Sequence, residues 1–158
     1  MVNKFNVPRY RELLKKEKIL EEQNKFLLDE PDYLELLSCK GSVDCQICFD
    51  RKSDYFSLIE KYLNTIISPE KFRARFLEMG EQDYEKAKKI LQDFEQLSNF
   101  SIDVKSDGFC SLFEGISDDC RQAFEFGPED DGYGIPEDEF RNSIEKIYFQ
   151  LVNYLNEE

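Results

Sequence analysis

The chain of 158 residues contains no histidine. That removes Ser-His-Asp and Cys-His catalysis, the HExxH metal site and the commonest general base. Its seven glycines never fall in P-loop or dinucleotide-binding spacing, so no phosphate cradle is indicated. There is no apolar run of about 18 residues, the length a membrane helix needs. The first residues, MVNKFNVPRYRELLKKEK, lack the apolar stretch of a signal peptide. Five cysteines, an odd number, do not form a disulfide framework. A reducing cytosol is therefore the expected compartment, with neither membrane nor cofactor. Internal repeats and low-complexity tracts are also absent.

What is present suits a packed domain. Hydrophobic residues make up 41% of the chain, including 14 Phe and 8 Tyr, enough for a core. The net charge of −13 is unevenly spread. Residues 1–100 carry 17 basic and 19 acidic side chains, while residues 101–158 carry 4 and 15. Such a one-signed region aids solubility and also steers a basic partner. Direct nucleic-acid binding is not expected, because phosphates would be repelled.

Helical periodicity dominates. Leu13, Leu14, Ile19, Leu20, Phe26 and Leu27 recur at near-helical spacing behind Pro8. A short helical piece follows at 31–38. The stretch CKGSVDCQICFDRK, 39–52, interrupts the pattern and reads as a linker with a boundary near residue 50. This divides the chain into an N-terminal helical extension, 1–50, and an acidic helical bundle, 51–158. Ser53 is a possible cap for the next helix. Ser68-Pro69-Glu70 is a strong start signal, for a helix expected to stop at Gly80. Residues 82–98 form an amphipathic helix, and 101–116, with Gly108 and Gly115, read as irregular. A short helix is expected from Ser117. The last starts at Pro136, with a stripe of Phe140, Ile144, Ile147, Tyr148, Leu151 and Leu155. No segment alternates well enough for a sheet, so the fold class is all-α, an antiparallel helical bundle.

Two metal readings are weak. Cys39, Cys45 and Cys48 give three thiols where structural zinc wants four ligands, so Cys110 or Cys120 would have to supply the fourth. The stretch GPEDDGYGIPEDEFR, 127–141, looks at first like a calcium loop. An EF-hand needs oxygen ligands at its positions 1, 3 and 5, glycine at 6 and Glu at 12. Putting Glu139 at position 12 leaves Pro128, Gly132 and Tyr133 at 1, 5 and 6; putting Gly132 at 6 leaves Gly127 at 1. The stretch instead separates into a turn bearing Glu129, Asp130 and Asp131 and a helix start bearing Glu137, Asp138 and Glu139. Acids there complement the helix dipole.

YFSLIEKYLNTIISPEKFRARFLEM and EDDGYGIPEDEFRNSIEKIYFQL each join a turn to an acidic helix start carrying a Phe-Arg pair. Together they resemble the colicin D-type immunity proteins over roughly residues 53–157. The resemblance implies an all-α, non-enzymatic inhibitor that occludes the basic active site of a tRNA-cleaving toxin, its carboxylates standing in for RNA phosphates. The residues it implicates are Glu129, Asp130, Asp131, Glu137, Asp138 and Glu139, with Asp118 and Asp119 a weaker match. Residues 1–50 have no counterpart in the compact members, and the insertion SNFSIDVKSDGFCSLFEG is longer than theirs. Tyr133, set among the acids, is a candidate apolar anchor. Three alternatives stand beside this expectation. One is an acidic nucleic-acid mimic that blocks a restriction or CRISPR-type nuclease. Another is an assembly subunit docking through its N-terminal helices. The third is a carboxylate enzyme, disfavoured by the missing histidine.

The failed calcium register sets a first expectation. Added calcium, or its removal with EDTA, should leave the melting temperature unchanged. A site saturated at 100 times its Kd would add about 2.7 kcal/mol, which a thermal melt detects.

Overall fold

The computed structural model describes residues 1–25, 28–122 and 134–157. Among them the order is β1 (Val2–Lys4), α1 (Val7–Glu22), α2 (Glu30–Asp50), α3 (Lys52–Leu63), α4 (Pro69–Leu91), α5 (Phe94–Ser98), β2 (Ser101–Asp103), α6 (Ser106–Gln122) and α7 (Glu137–Asn156). The protein is a helical bundle. Among the described residues the two strands, β1 and β2, pair antiparallel in the register Val2↔Asp103 to Lys4↔Ser101.

The first helix ends earlier than its apolar stripe suggests. Asn24 takes φ 55°, a left-handed conformation that asparagine tolerates. Phe26 and Leu27 lie outside the described residues. The 39–52 stretch is not a linker. Its residues 39–50 are the second half of α2, a helix capped at its start by the Asp29 side chain accepting from Asp32 N. Arg51 then closes α2 and opens α3 in one residue, so Ser53 lies inside α3 and is not its cap. Ser68 does cap α4, accepting from Lys71 N at 3.2 Å. The helix does not stop at Gly80 but runs on to Leu91. A glycine there costs only about 1 kcal/mol. Burying Phe76 and Met79 before it and Ala87 and Ile90 after it outweighs that, at about 1.5–3 kcal/mol for each large side chain.

The region 101–116 is regular as well. It holds β2 and the start of α6, and the helix expected from Ser117 is the end of α6. Gly108 and Gly115 mark a close helix approach. A Cβ at Gly108 would collide with the Tyr154 hydroxyl, and one at Gly115 would sit 2.9 Å from Ile147 Cδ1. Along α7, Phe140, Ile144 and Leu151 are buried and Ile147, Tyr148 and Leu155 half-buried. Pro136 is the N-cap rather than the first helical residue.

Two apolar clusters form. The N-terminal one joins Phe5, Tyr10, Leu13, Leu36, Val43 and Ile47 to Ala87, Ile90 and Leu97. The other is aromatic. Tyr62 stacks on Phe72 at 4.7 Å, Phe76 on Phe113 at 5.1 Å and Phe109 on Phe113 at 5.7 Å. Helix α2 serves both: Val43 and Ile47 enter the first cluster, Cys48 and Phe49 the second. On the surface Arg9 bridges to Asp32 and Glu35 at 2.9 and 2.7 Å, tying α1 to α2.

Because residues 1–50 share both cores, a chain starting at Lys52 should not fold cooperatively. It would bare Phe109, which packs on Phe49 at 5.5 Å, and Ala87 and Ile90. The expected outcome is a broad melt with dye-binding apolar surface. A sharp melt would restore the separate-domain reading.

Candidate functional site

Each Phe-Arg pair of the sequence has a structural job. Phe72 and Phe140 are buried, their ring centroids 6.0 Å apart. The arginine that follows each reaches the C-terminal end of another helix. Arg73 Nε donates to Cys120 O at 2.6 Å, near the end of α6. Arg141 donates to Tyr62 O at 3.3 Å and also to Leu63 O, at the end of α3. Helix C-termini leave carbonyls unsatisfied and carry partial negative charge, and a guanidinium answers both.

These contacts bring the end of α6, the start of α7 and the α3–α4 turn to one end of the bundle. Of the acids read from the sequence, Asp118, Glu137, Asp138 and Glu139 are exposed there. Asp119 is half-buried and accepts from Ser143 Oγ, so it joins α6 to α7 rather than facing outward. Asp118 pairs with Arg121 at 3.2 Å. The ion pairs among the described residues do not involve Glu137, Asp138 or Glu139. Glu129, Asp130, Asp131 and Tyr133 lie outside the described residues. The same end has an apolar feature that the sequence reading missed: Ile66, in the α3–α4 turn, is 70% exposed. Its neighbour Thr65 has φ 58°, unusual for a β-branched residue. Nothing in the sequence signals either.

A groove of about 610 Å³ runs between α2, α4 and α6, with Asp118 and Arg121 among its lining residues. Asp83 anchors its wall. That carboxylate accepts from Arg51 Nη1 at 2.9 Å and from the Tyr55 hydroxyl. Burial, then the Asp83 hydrogen bond, holds the Tyr55 phenol above its ordinary range, so it stays protonated as the donor. Asp44 also lines the groove, and burial raises its carboxyl. Arg51 and Tyr55 have i,i+4 spacing in the sequence, but only folding supplies Asp83.

The cysteines divide. Cys39 packs against the N-terminal cluster and Cys48 within the aromatic one, on different sides of α2. Among the described residues no three His, Cys, Asp or Glu side chains are arranged to hold a metal ion. Comparison with protein-family models, curated proteins and solved structures gives no match.

Arg141→Ala should cost about 1.5–3 kcal/mol in urea unfolding, the usual worth of hydrogen bonds from a charged donor. Arg141→Lys should recover part of the loss, since one ammonium cannot span two carbonyls as a fork does. A loss below about 0.5 kcal/mol would show that these carbonyls are satisfied without the arginine.

Proposed function

We propose that this protein is a non-enzymatic binding protein whose acidic end docks on the cationic cleft of a protein partner. A nuclease toxin domain is the partner class that the sequence resemblance suggests. The observation carrying this reading is that Asp118 near the end of α6 and Glu137, Asp138 and Glu139 at the start of α7 are exposed on helix ends joined by the Asp119–Ser143 hydrogen bond, with Ile66 exposed in the turn after α3, whose end Arg141 ties to α7. Arg73 and Arg141 hold these helix ends together through backbone carbonyls. A one-signed rim raises association rate and rejects wrong partners, while an apolar anchor supplies hold. Glu129, Asp130 and Asp131 extend the acidic set along the sequence. The mimicry of RNA phosphates is part of the proposal, and the same chemistry would serve against a restriction or CRISPR-type nuclease.

A second reading has its own observation. Tyr33, Leu34 and Leu37 on α2 are 43%, 55% and 47% exposed. A patch of this kind on the N-terminal half favours an assembly subunit that docks through α2.

Affinity capture with mass spectrometry would identify the partner, and stopped-flow mixing with that protein decides between the readings. Replacing Asp118, Glu137, Asp138 and Glu139 by their amides should slow association about tenfold or more at low salt and flatten its salt dependence. Ile66→Ser should speed dissociation. Amides at Glu17, Glu21 and Glu22 are the control and should change little. If Leu34→Ser with Leu37→Ser abolishes binding while the acidic-end variants do not, the assembly reading replaces the first.

A further inference from the structure

We propose that the seam between α2 and α4 is a docking trough for a segment of a partner protein that is basic in one half and acidic in the other. The groove between α2, α4 and α6 does not end at Asp44 and Tyr84. Both side chains also line a second cavity of about 520 Å³, set between α1, α2 and α4. Leu14 and Phe94 in turn line that cavity and a third, along the face of α1. Glu137, Asp138 and Glu139 line none of the three, so the trough is a surface separate from the start of α7.

The two halves are opposite in charge. Glu81, Asp83, Glu114 and Asp118 line the half beside α6. The cation among the described lining residues there is Arg121, which pairs with Asp118 at 3.2 Å. Asp83 answers Arg51 at 2.9 Å. Glu81 and Glu114 enter none of the ion pairs among the described residues. Beyond Asp44 the sign reverses. Lys40 from α2 and Lys88 from α4 line the second cavity, and Arg11, Lys15 and Lys18 line the third. Spacings of four and three residues put those last three on one face of α1. Arg11 lies over the Phe94 ring, 4.3 Å from its centroid. These five cations also take no part in the ion pairs among the described residues.

The bottom of the trough is apolar in both halves, with Phe76 and Phe113 in the acidic one and Tyr10 and Leu91 in the basic one. Tyr84 stands at the junction, 60% exposed. An aromatic side chain at the centre of an interface is where binding energy concentrates. Helix α4 walls the trough from Leu77 to Leu91, a length of about 21 Å at the helical rise. About six or seven extended residues cover that length, at roughly 3.3 Å each. A small cation would answer one half and a small anion the other. A segment carrying both charges in order answers the whole, its basic half beside α6 and its acidic half beside α1.

The test uses the full chain and three fluorescein-labelled peptides of equal length, read by fluorescence anisotropy at low salt. The block peptide carries lysines, then leucine and phenylalanine, then glutamates. The second has the same composition with its charges alternated, and the third has lysines in both blocks. The block peptide should bind at least about tenfold tighter than the alternated one. Lys15→Glu with Lys18→Glu should weaken it about fivefold or more and tighten the all-lysine peptide, a gain that a damaged fold would not give. Glu81→Gln with Glu114→Gln should weaken both, and Tyr84→Ala should weaken the block peptide. A photo-crosslinker on the lysine end should label α6, and one on the glutamate end α1. The proposal is overturned if the block peptide fails to bind or binds no better than the alternated one. It is equally overturned if the charge variants leave its affinity unchanged, or if the crosslinks fall on Leu34 and Leu37. Should the chain dimerise and the block peptide dissolve the dimer, the occupant is a second copy and the partner segment is ruled out.

Discussion

Helix α2 is buried on two sides, and that constraint organises the rest of the protein. Its Val43 and Ile47 close the N-terminal cluster, while Cys48 and Phe49 close the aromatic one. A helix placed so must be flanked on both faces, and α1, α4 and α6 supply the flanks. The turn at Arg51 follows from the same demand. Its guanidinium reaches Asp83 on α4, so the chain leaves α2 with its direction already fixed by the neighbouring helix.

The paired arginines show how one set of contacts builds the core and shapes the surface at once. Phe72 and Phe140 fill the aromatic cluster, and the arginine beside each is carried to a helix end. Each guanidinium donates to backbone carbonyls there and so ties helix ends together. The Ser143–Asp119 hydrogen bond joins the two acidic helix ends, and Gly108 and Gly115 let α6 and α7 approach along the rest of their length.

The groove is a different kind of feature. It mixes carboxylates, a protonated phenol and thiols in a partly dry wall. Asp83 is satisfied by two donors, so its charge is held in place, whereas Asp44 sits where burial alone acts on it.

Much of the fold was legible because most helices bury one face. The start at Ser68-Pro69-Glu70 and the Phe140–Leu151 stripe are local signals, and they persist whatever surrounds them. The acidic bias of the last third was equally plain. Where legibility failed, the cause was tertiary. Residues 39–50 lack a one-sided stripe because α2 buries two faces, and Gly, Ser and Cys there are poor helix formers. Gly80 is a stop signal only until burial on both sides of it outweighs its backbone cost. Gly108 and Gly115 look like breakers, yet they let α7 approach. By itself the sequence determined the helical class, the acidic end and the lack of histidine chemistry, since each depends on residue type and local spacing. Asp83 between Arg51 and Tyr55 and the arginines on distant carbonyls were decided only by tertiary structure. Each joins positions far apart in the chain, and no local preference encodes such a distance.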